Sequence, residues 1–437
     1  MSALQPADFP LMEITDLTHD GRGVARHNGK AVFVHGGLTG EEVRVRMYKR
    51  HRRYDEGEAI AVEKASPDRV DPRCAHVDRC GGCALQHLAP ELQIDFKQRQ
   101  VLENITRIGK VTPEEVVPAL TGPLWAYRYK ARLSVRHVPK KERVLVGFRE
   151  RSGHRVADCR NCDILHPAVG TRLNELSELI EQLSVRDALP QIEVAAGDEH
   201  VILVFRHLEP LNDNDVALLK QFSDDTGLIV YLQPKGLKTI HPLSGENSEL
   251  FYTVDEPPLR LDFLPHQFTQ INPEINRSMV QQAIDWLDLK PEHRVLDLFC
   301  GLGNFSLPIA RRVKEVVGIE GEESLTQQAS HNAQAAGLDN TQFYPFDLRE
   351  DPSDRVWYGQ YDRVLLDPPR SGAEAVIPWL AATNNRHLVY VSCQPASLAR
   401  DAGILVNEHG YRMVKLGVMD MFPHTSHVES MALFVRD

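Results

Sequence analysis

No stretch of this 437-residue chain stays apolar for the roughly 18–20 residues that a bilayer-spanning helix needs. Its opening, Met1 to Leu11, lacks both the basic start and the apolar centre of a secretory leader. A cytoplasmic protein with no membrane partner is the expectation. Internal repeats and low-complexity segments are also missing, and the composition, 42% apolar and 25% charged, is that of ordinary globular domains. Two or three such domains suit the length. An even cysteine framework is lacking too: Cys74, Cys80, Cys83, Cys159, Cys162, Cys300 and Cys393 are seven, unevenly spread. In a reducing compartment such a set points to metal ligation and catalysis rather than disulfides.

Acid is what two stretches lack. Net charge is −11, yet residues 44–53 carry six Lys/Arg and no acid, and residues 126–160 carry eleven Lys/Arg against three acids. Basic islands in an acidic protein predict a localised face for a polyanion. Tyr48, Tyr54, Tyr127, Tyr129 and Phe148 interleave with them and offer rings on which bases can stack.

Residues 10–64 alternate short runs of β character (14–17, 31–35, 42–47, 57–63) with Gly-rich turns, which predicts a small OB-like barrel. Asp20-Gly21-Arg22-Gly23-Val24-Ala25, Gly29 to Val34 and the Gly40 turn resemble the TRAM domain of RNA-modifying enzymes. Cys74, Cys80 and Cys83 follow in an aperiodic loop, where Gly81 and Gly82 let the backbone fold tightly around one ion or cluster. The Cys159/Cys162 pair can supply a fourth ligand, and spacing alone leaves tetrathiolate zinc and an iron–sulfur cluster equally open. An amphipathic helix is predicted over 92–108, and mixed helix and strand over 127–260. From about residue 263 strands (294–299, 315–319, 362–366, 388–392) alternate with helices, the pattern of a doubly wound α/β sheet.

The chemistry gathers at the carboxyl ends of those strands, the edge where such sheets bind ligands. Val295 to Phe305 is a strand entering a Gly-x-Gly turn, and Glu320 ends the next strand, placed to accept from ribose hydroxyls. Position 306 is Ser where a dinucleotide cradle has its third Gly, so S-adenosylmethionine fits better than NAD. Cys300 is read as packing, and Asp347 lies where such folds set a polar group against adenine. Asp367-Pro368-Pro369-Arg370 puts a carboxylate at the same edge. Leu388 to Ser392 delivers Cys393 there, and Pro395 ends the strand. Carbon methylation of uracil needs such a thiol: a thiolate adding to C6 makes C5 nucleophilic, and a base must then remove the C5 proton. An environment that lowers the thiol pKa is expected. Glu429 is the base candidate, with His424 and His427 competing.

With these residues, and with Phe268-x-Gln270-x-Asn272-x3-Asn276, the chain resembles over nearly its whole length the bacterial TRAM-containing RNA 5-methyluridine methyltransferases. The resemblance implies a Rossmann-like methyltransferase domain, an OB-like TRAM barrel and a mixed α+β central domain. It implies these as 1–66 for the barrel, 67–92 and 126–262 for the centre, and 93–125 and 263–437 for the methyltransferase unit. It further implies a [4Fe–4S] cluster on Cys74, Cys80, Cys83 and Cys162, leaving Cys159 free. Gln270, Phe299, Asn304, Glu320, Asp347 and Asp367 would line the S-adenosylmethionine site, with Cys393 the nucleophile and Glu429 the base. The barrel favours the branch acting on 23S ribosomal RNA, as a monomer, over the transfer-RNA branch. A non-catalytic RNA-binding assembly factor is the reading from another class. One departure is Gln394, where the family usually has Asn.

Overall fold

The computed structural model describes residues 5–151 and 153–437. Its first sheet holds Leu11–Glu13, Asp16–Leu17, Gly23–His27, Lys30–His35, Glu42–Arg50 and Tyr54–Lys64. The period of two turns Val32, Val34, Val43 and Val45 inward with Met12, Ile14 and Ala25, and the sheet curls until Leu11–Glu13 lies against Gly23–His27. Asn28 and Gly29 both take positive φ, the demand of a two-residue hairpin that matches strand twist. That hairpin adds the strand Gly23–His27, which the sequence pattern left unassigned.

A second six-stranded sheet runs in the order His241–Pro242, Ile229–Gln233, Val201–Arg206, Gln191–Ala196, Lys130–Val138, Arg143–Gly147. Helices Leu173–Gln182 and Asp213–Thr226 pack their apolar faces, including Leu176, Ile180, Leu219 and Phe222, into its core. The cysteine-bearing loops lie beside this sheet, joined by a bridge between Cys80 and Glu150.

The third sheet has eight strands in the order Thr341–Pro345, Glu315–Glu320, Arg294–Leu298, Arg363–Leu366, His387–Ser392, Glu429–Val435, Arg412–Met419, Glu115–Val116. The first five are parallel, and the Val/Ile/Leu runs of the inner four are buried on both faces, as helices on each side require, whereas the edge strand Thr341–Pro345 buries none of its residues. Glu429–Val435 runs antiparallel to both neighbours. The four strands read from sequence are parallel, and the reversed strand beyond them matters: it brings its first residue, Glu429, to the carboxyl edge of the parallel set.

Helix Pro90–Asn104, prolonged by a wider turn over Ile105–Gly109, packs on helix Pro395–Asn407 of this third unit. Their backbones touch at Gly109, where a Cβ would sit 2.5 Å from the Ala399 carbonyl. No helix among the described residues is long and apolar enough to cross a membrane.

Candidate active site

The ladder between His387–Ser392 and Glu429–Val435 pairs Val391 with Met431 and Ser392 with Ser430. The ladder ends there, so Cys393 and Glu429 adjoin its last pair, and the Glu429 charge acts on the Cys393 thiol. Pro395 opens the next helix and ends the strand here, and Ser392 closes the turn by accepting from the Gln394 N–H at 3.1 Å. The Gln394 side chain is exposed and makes no capping bond, so the turn does not depend on it.

Cys393 is half-buried and Glu429 is 3% exposed. Burial, then the charges of Glu429 and Asp367, push the thiol up to about 11, while Arg370 pulls it back. This corrects the expectation of a lowered thiol: two acids meet the sulfur and only one cation opposes them. Burial and Asp367 likewise hold Glu429 well above the ordinary carboxylate range. Arg370 is exposed, but its loop is fastened to helix Pro395–Asn407. Ser397 Oγ donates to the Arg370 carbonyl at 2.6 Å, Arg400 donates to the Ser371 carbonyl at 2.8 Å, and Asp401 accepts from the Ala373 N–H at 2.7 Å. Nothing local in sequence reveals these three anchors; the only sequence signal for Arg370 is its place three residues after Asp367.

Along the same edge, burial raises Asp297 and Asp367 to about 7; the charges of Asp367 and Glu320 add to the rise at Asp297, and that of Glu320 to the rise at Asp367. Asp297 accepts from Ser306 Oγ, and its second oxygen, Oδ1, is buried with no partner. Glu320 accepts from the Gly301 N–H at 3.2 Å and the Glu322 N–H at 3.0 Å, tying the glycine turn to the next strand. Phe299, Gly301 and Gly303 all take positive φ in that turn. Gly318 leaves room for Cys300, whose sulfur would lie 2.9 Å from a Cβ there, in keeping with Cys300 as packing. An acidic, partly desolvated strand edge with an orphaned acceptor suits a cationic ligand and repels a pyrophosphate.

Asn304 is held by a reciprocal amide pair with Asn276, 2.9 Å each way, and accepts from the Tyr252 hydroxyl at 3.0 Å. Tyr252, buried on the strand Phe251–Val254, was not anticipated, because nothing local in sequence links it to a turn some fifty residues on. Asp347 lies after Phe346, whose N–H donates to the Glu320 carbonyl at 2.9 Å, but its carboxylate is taken by Arg349, which holds it down at about 2. No hydrogen bond ties the half-buried Gln270 to this group among the described residues.

His424 and His427 separate from the base role. His424 is buried, held down to about 4 by desolvation, its ring tilted against Trp125 at a centroid distance of 4.1 Å, and hydrogen-bonded to Gln93. Burial and the charges of Arg370, Arg128 and Lys97 lower His427.

Cys74, Cys80, Cys83, Cys159 and Cys162 line a single cavity with Phe148 and Gln86. Cys159 donates a hydrogen bond to Cys80, which draws Cys80 down to about 7. Burial pushes Cys83 and Cys162 up to about 12, outweighing the Gln86 hydrogen bond and the Arg128 charge that oppose it at Cys83. Gly82 is needed at the cavity wall, where a Cβ would press on the Phe148 ring at 3.0 Å. Among the described residues, no three His, Cys, Asp or Glu side chains are grouped tightly enough for a single metal ion.

The basic islands are less basic in three dimensions than in sequence. Cross-strand register sets Arg46 against Glu58, Lys49 against Glu56 and Arg50 against Asp55. Arg44 pairs with Glu63 at 3.0 Å and Arg132 with Glu193 at 2.7 Å, while Asp158 serves both Lys141 and Arg143.

A family model described as tRNA (uracil-5-)-methyltransferase matches residues 97–350 and 355–437, and a TRAM domain model matches residues 12–60. The 23S rRNA (uracil(1939)-C(5))-methyltransferase of Alkalilimnicola ehrlichii is 53% identical over 97% of this chain and 96% of its own length. That of Stenotrophomonas maltophilia is 49% identical over the same shares. Among solved structures, the Pyrococcus abyssi tRNA (uracil-54, C5)-methyltransferase in complex with S-adenosyl-L-homocysteine superposes with a TM-score of 0.74. It is 24% identical and covers 98% of this chain and 100% of that one, which establishes the shared fold.

Proposed function

The chain belongs to the tRNA (uracil-5-)-methyltransferase family, and from that membership we propose that it methylates C5 of uracil-1939 in 23S ribosomal RNA. It is an S-adenosylmethionine-dependent RNA uracil-C5-methyltransferase, and relatives at about half identity over nearly the full length carry the assignment of the nucleotide. The structural observation that carries the chemistry is the ladder ending at Ser392–Ser430, which leaves Cys393 and Glu429 next to its last pair, with Glu429, Asp367 and Arg370 all acting on the thiol.

The Cys393 thiol loses its proton to water as Sγ bonds to C6, and the C5=C6 electron pair passes into an enolate. S-adenosylmethionine supplies an electrophilic methyl to C5 and leaves as S-adenosylhomocysteine. Glu429 removes the C5 proton, the C5=C6 bond reforms, and the C6–S bond breaks toward sulfur, which takes the proton back through Glu429. The net release is one proton. A carboxylate whose ionised form is disfavoured by burial is a stronger base when it does ionise, which suits Glu429 to a carbon acid. Asp297, Glu320 and Asp367 hold the cationic donor, and Asn304, Phe299, Gln270 and Asp347 complete its site.

Residues 1–66 bind RNA, residues 67–92 and 126–262 carry a [4Fe–4S] cluster, and residues 93–125 with 263–437 form the methyltransferase unit, the whole acting as a cytoplasmic monomer. Cys74, Cys80, Cys83 and Cys162 hold the cluster. The fit rests on five thiols lining one cavity, and on burial of their sulfurs that the positive charge of a cluster core would offset. The cluster enters no step, since methyl transfer moves no net electron to the protein. Anaerobically purified protein should contain iron and acid-labile sulfide; zinc without labile sulfide refutes the cluster.

The test of function is a 23S rRNA fragment with 5-fluorouridine at the target, incubated with the protein and S-adenosylmethionine and resolved under denaturing conditions. Fluorine cannot leave C5 as a proton, so a covalent methylated adduct should accumulate, and Cys393→Ala should abolish it. Binding without any adduct from the unaltered protein sinks the mechanism and revives the assembly-factor reading.

A further inference from the structure

The loop that leads into Glu429 is gripped by groups that the reaction itself does not use. His424 sits at φ 64, a left-handed conformation that a residue with a Cβ holds only when its surroundings impose it. Its carbonyl accepts from two successive amides, Ala84 at 2.8 Å and Leu85 at 2.9 Å, and these follow Cys83 directly. Its own N–H donates to Gln93 Oε1 at 2.9 Å. The Gln93 amide nitrogen in turn donates to the Leu88 carbonyl at 2.9 Å and the Leu85 carbonyl at 3.1 Å, and lies 3.3 Å from His424 Nδ1. The Tyr127 hydroxyl donates to the Pro423 carbonyl at 2.9 Å. Gln93 is 1% exposed and Tyr127 is 1% exposed, so neither is a surface contact.

We infer that Gln93 is a positioning residue, stitching the segment after Cys83 to His424 so that the loop delivers Glu429 opposite Cys393. Tyr127 seconds it one residue earlier. The inference rests on the assignment of Glu429 as the base. It gives the cysteine loop a mechanical link to the proton-removal half of the reaction, through backbone amides that cannot shift without moving His424.

This role separates from simple structural support because nucleophilic attack and proton removal can be read apart. Uridine turnover needs both, whereas adduct formation on 5-fluorouridine needs only attack and methyl transfer. In Gln93→Met, turnover on a 23S rRNA fragment should fall by roughly 10–100-fold, the cost of about an ångström of misplacement. The KM for S-adenosylmethionine should stay put, and a covalent methylated intermediate should build up on ordinary uridine RNA. The rate of adduct formation on 5-fluorouridine RNA should stay within a few-fold of the unaltered protein. If Gln93→Met does not fold, Tyr127→Phe, which removes only one hydroxyl, carries the same comparison with a smaller loss. Parallel decline of both reactions, or no decline in either, overturns the inference. Absence of any adduct from the unaltered protein would instead overturn the assignment of Cys393 and Glu429 beneath it.

Discussion

Cys393 meets two acids and one cation, and that arrangement sets how its reactivity must depend on pH. A thiol held near 11 is mostly protonated at neutrality, and each unit of pH below that value costs a factor of about ten in thiolate. Adduct formation on 5-fluorouridine RNA should therefore climb steadily from pH 7 to 9, with no plateau near the ordinary thiol value of about 8.5. Glu429 is one of the charges that opposes the thiolate. Glu429→Gln should thus shift that profile toward lower pH while cutting uridine turnover by roughly 10²–10⁴-fold, the usual worth of a general base. Single-turnover adduct rates across pH, beside steady-state turnover, check both halves. An unshifted profile would mean that Glu429 carries no charge facing the sulfur.

At the scale of elements, helix Pro90–Asn104 reaches the catalytic edge through a buried ion pair. Lys97 is fully buried, 2.6 Å from Asp420 and 3.0 Å from the Phe422 carbonyl, and desolvation lowers its pKa. Breaking such a pair from one side leaves a buried charge unmatched, so Asp420→Ala should cost about 3–5 kcal/mol. Lys97→Met combined with Asp420→Leu should regain most of that loss, because the desolvation penalty disappears with both charges. Thermal or denaturant unfolding followed by a probe in the C-terminal unit decides it; equal losses in single and double variants would show the pair to be net stabilising. The helix itself was legible in sequence, from Leu92, Phe96, Leu102 and Ile105, and so were the alternating strands and the Gly-x-Gly turn. What was not legible is non-local. The reversal of Glu429–Val435 depends on a neighbour some forty residues away, and Tyr252 meets Asn304 across two sheets. The acids around Cys393 raise its pKa only because three strand ends converge, which no window along the chain displays.

For the whole molecule, the question is how an acidic protein holds a polyanion. Residues 44–53 hold six cations and no acid, but Arg44, Arg46 and Lys49 pair with Glu63, Glu58 and Glu56 on the adjoining strand. Arg52 and Arg53 lie at the turn beyond that pairing and are exposed, with no carboxylate at ion-pair distance among the described residues. They are the cations of this island best placed to displace counterions from RNA. Each phosphate neutralised on a single strand contributes about 0.7 to the slope of log K against log salt. Replacing Arg52 and Arg53 together by Ala should flatten that slope by roughly 1.4, whereas Arg46→Ala should change it by much less than about 0.7. Glu58→Gln, by releasing Arg46, should tighten binding and steepen the slope. Anisotropy titrations of a labelled 23S rRNA fragment over a range of salt measure all three. A full contribution from Arg46 in the unaltered background would mean that the strand pairs open on RNA, and that the charge balance of the free barrel is not the one the substrate meets.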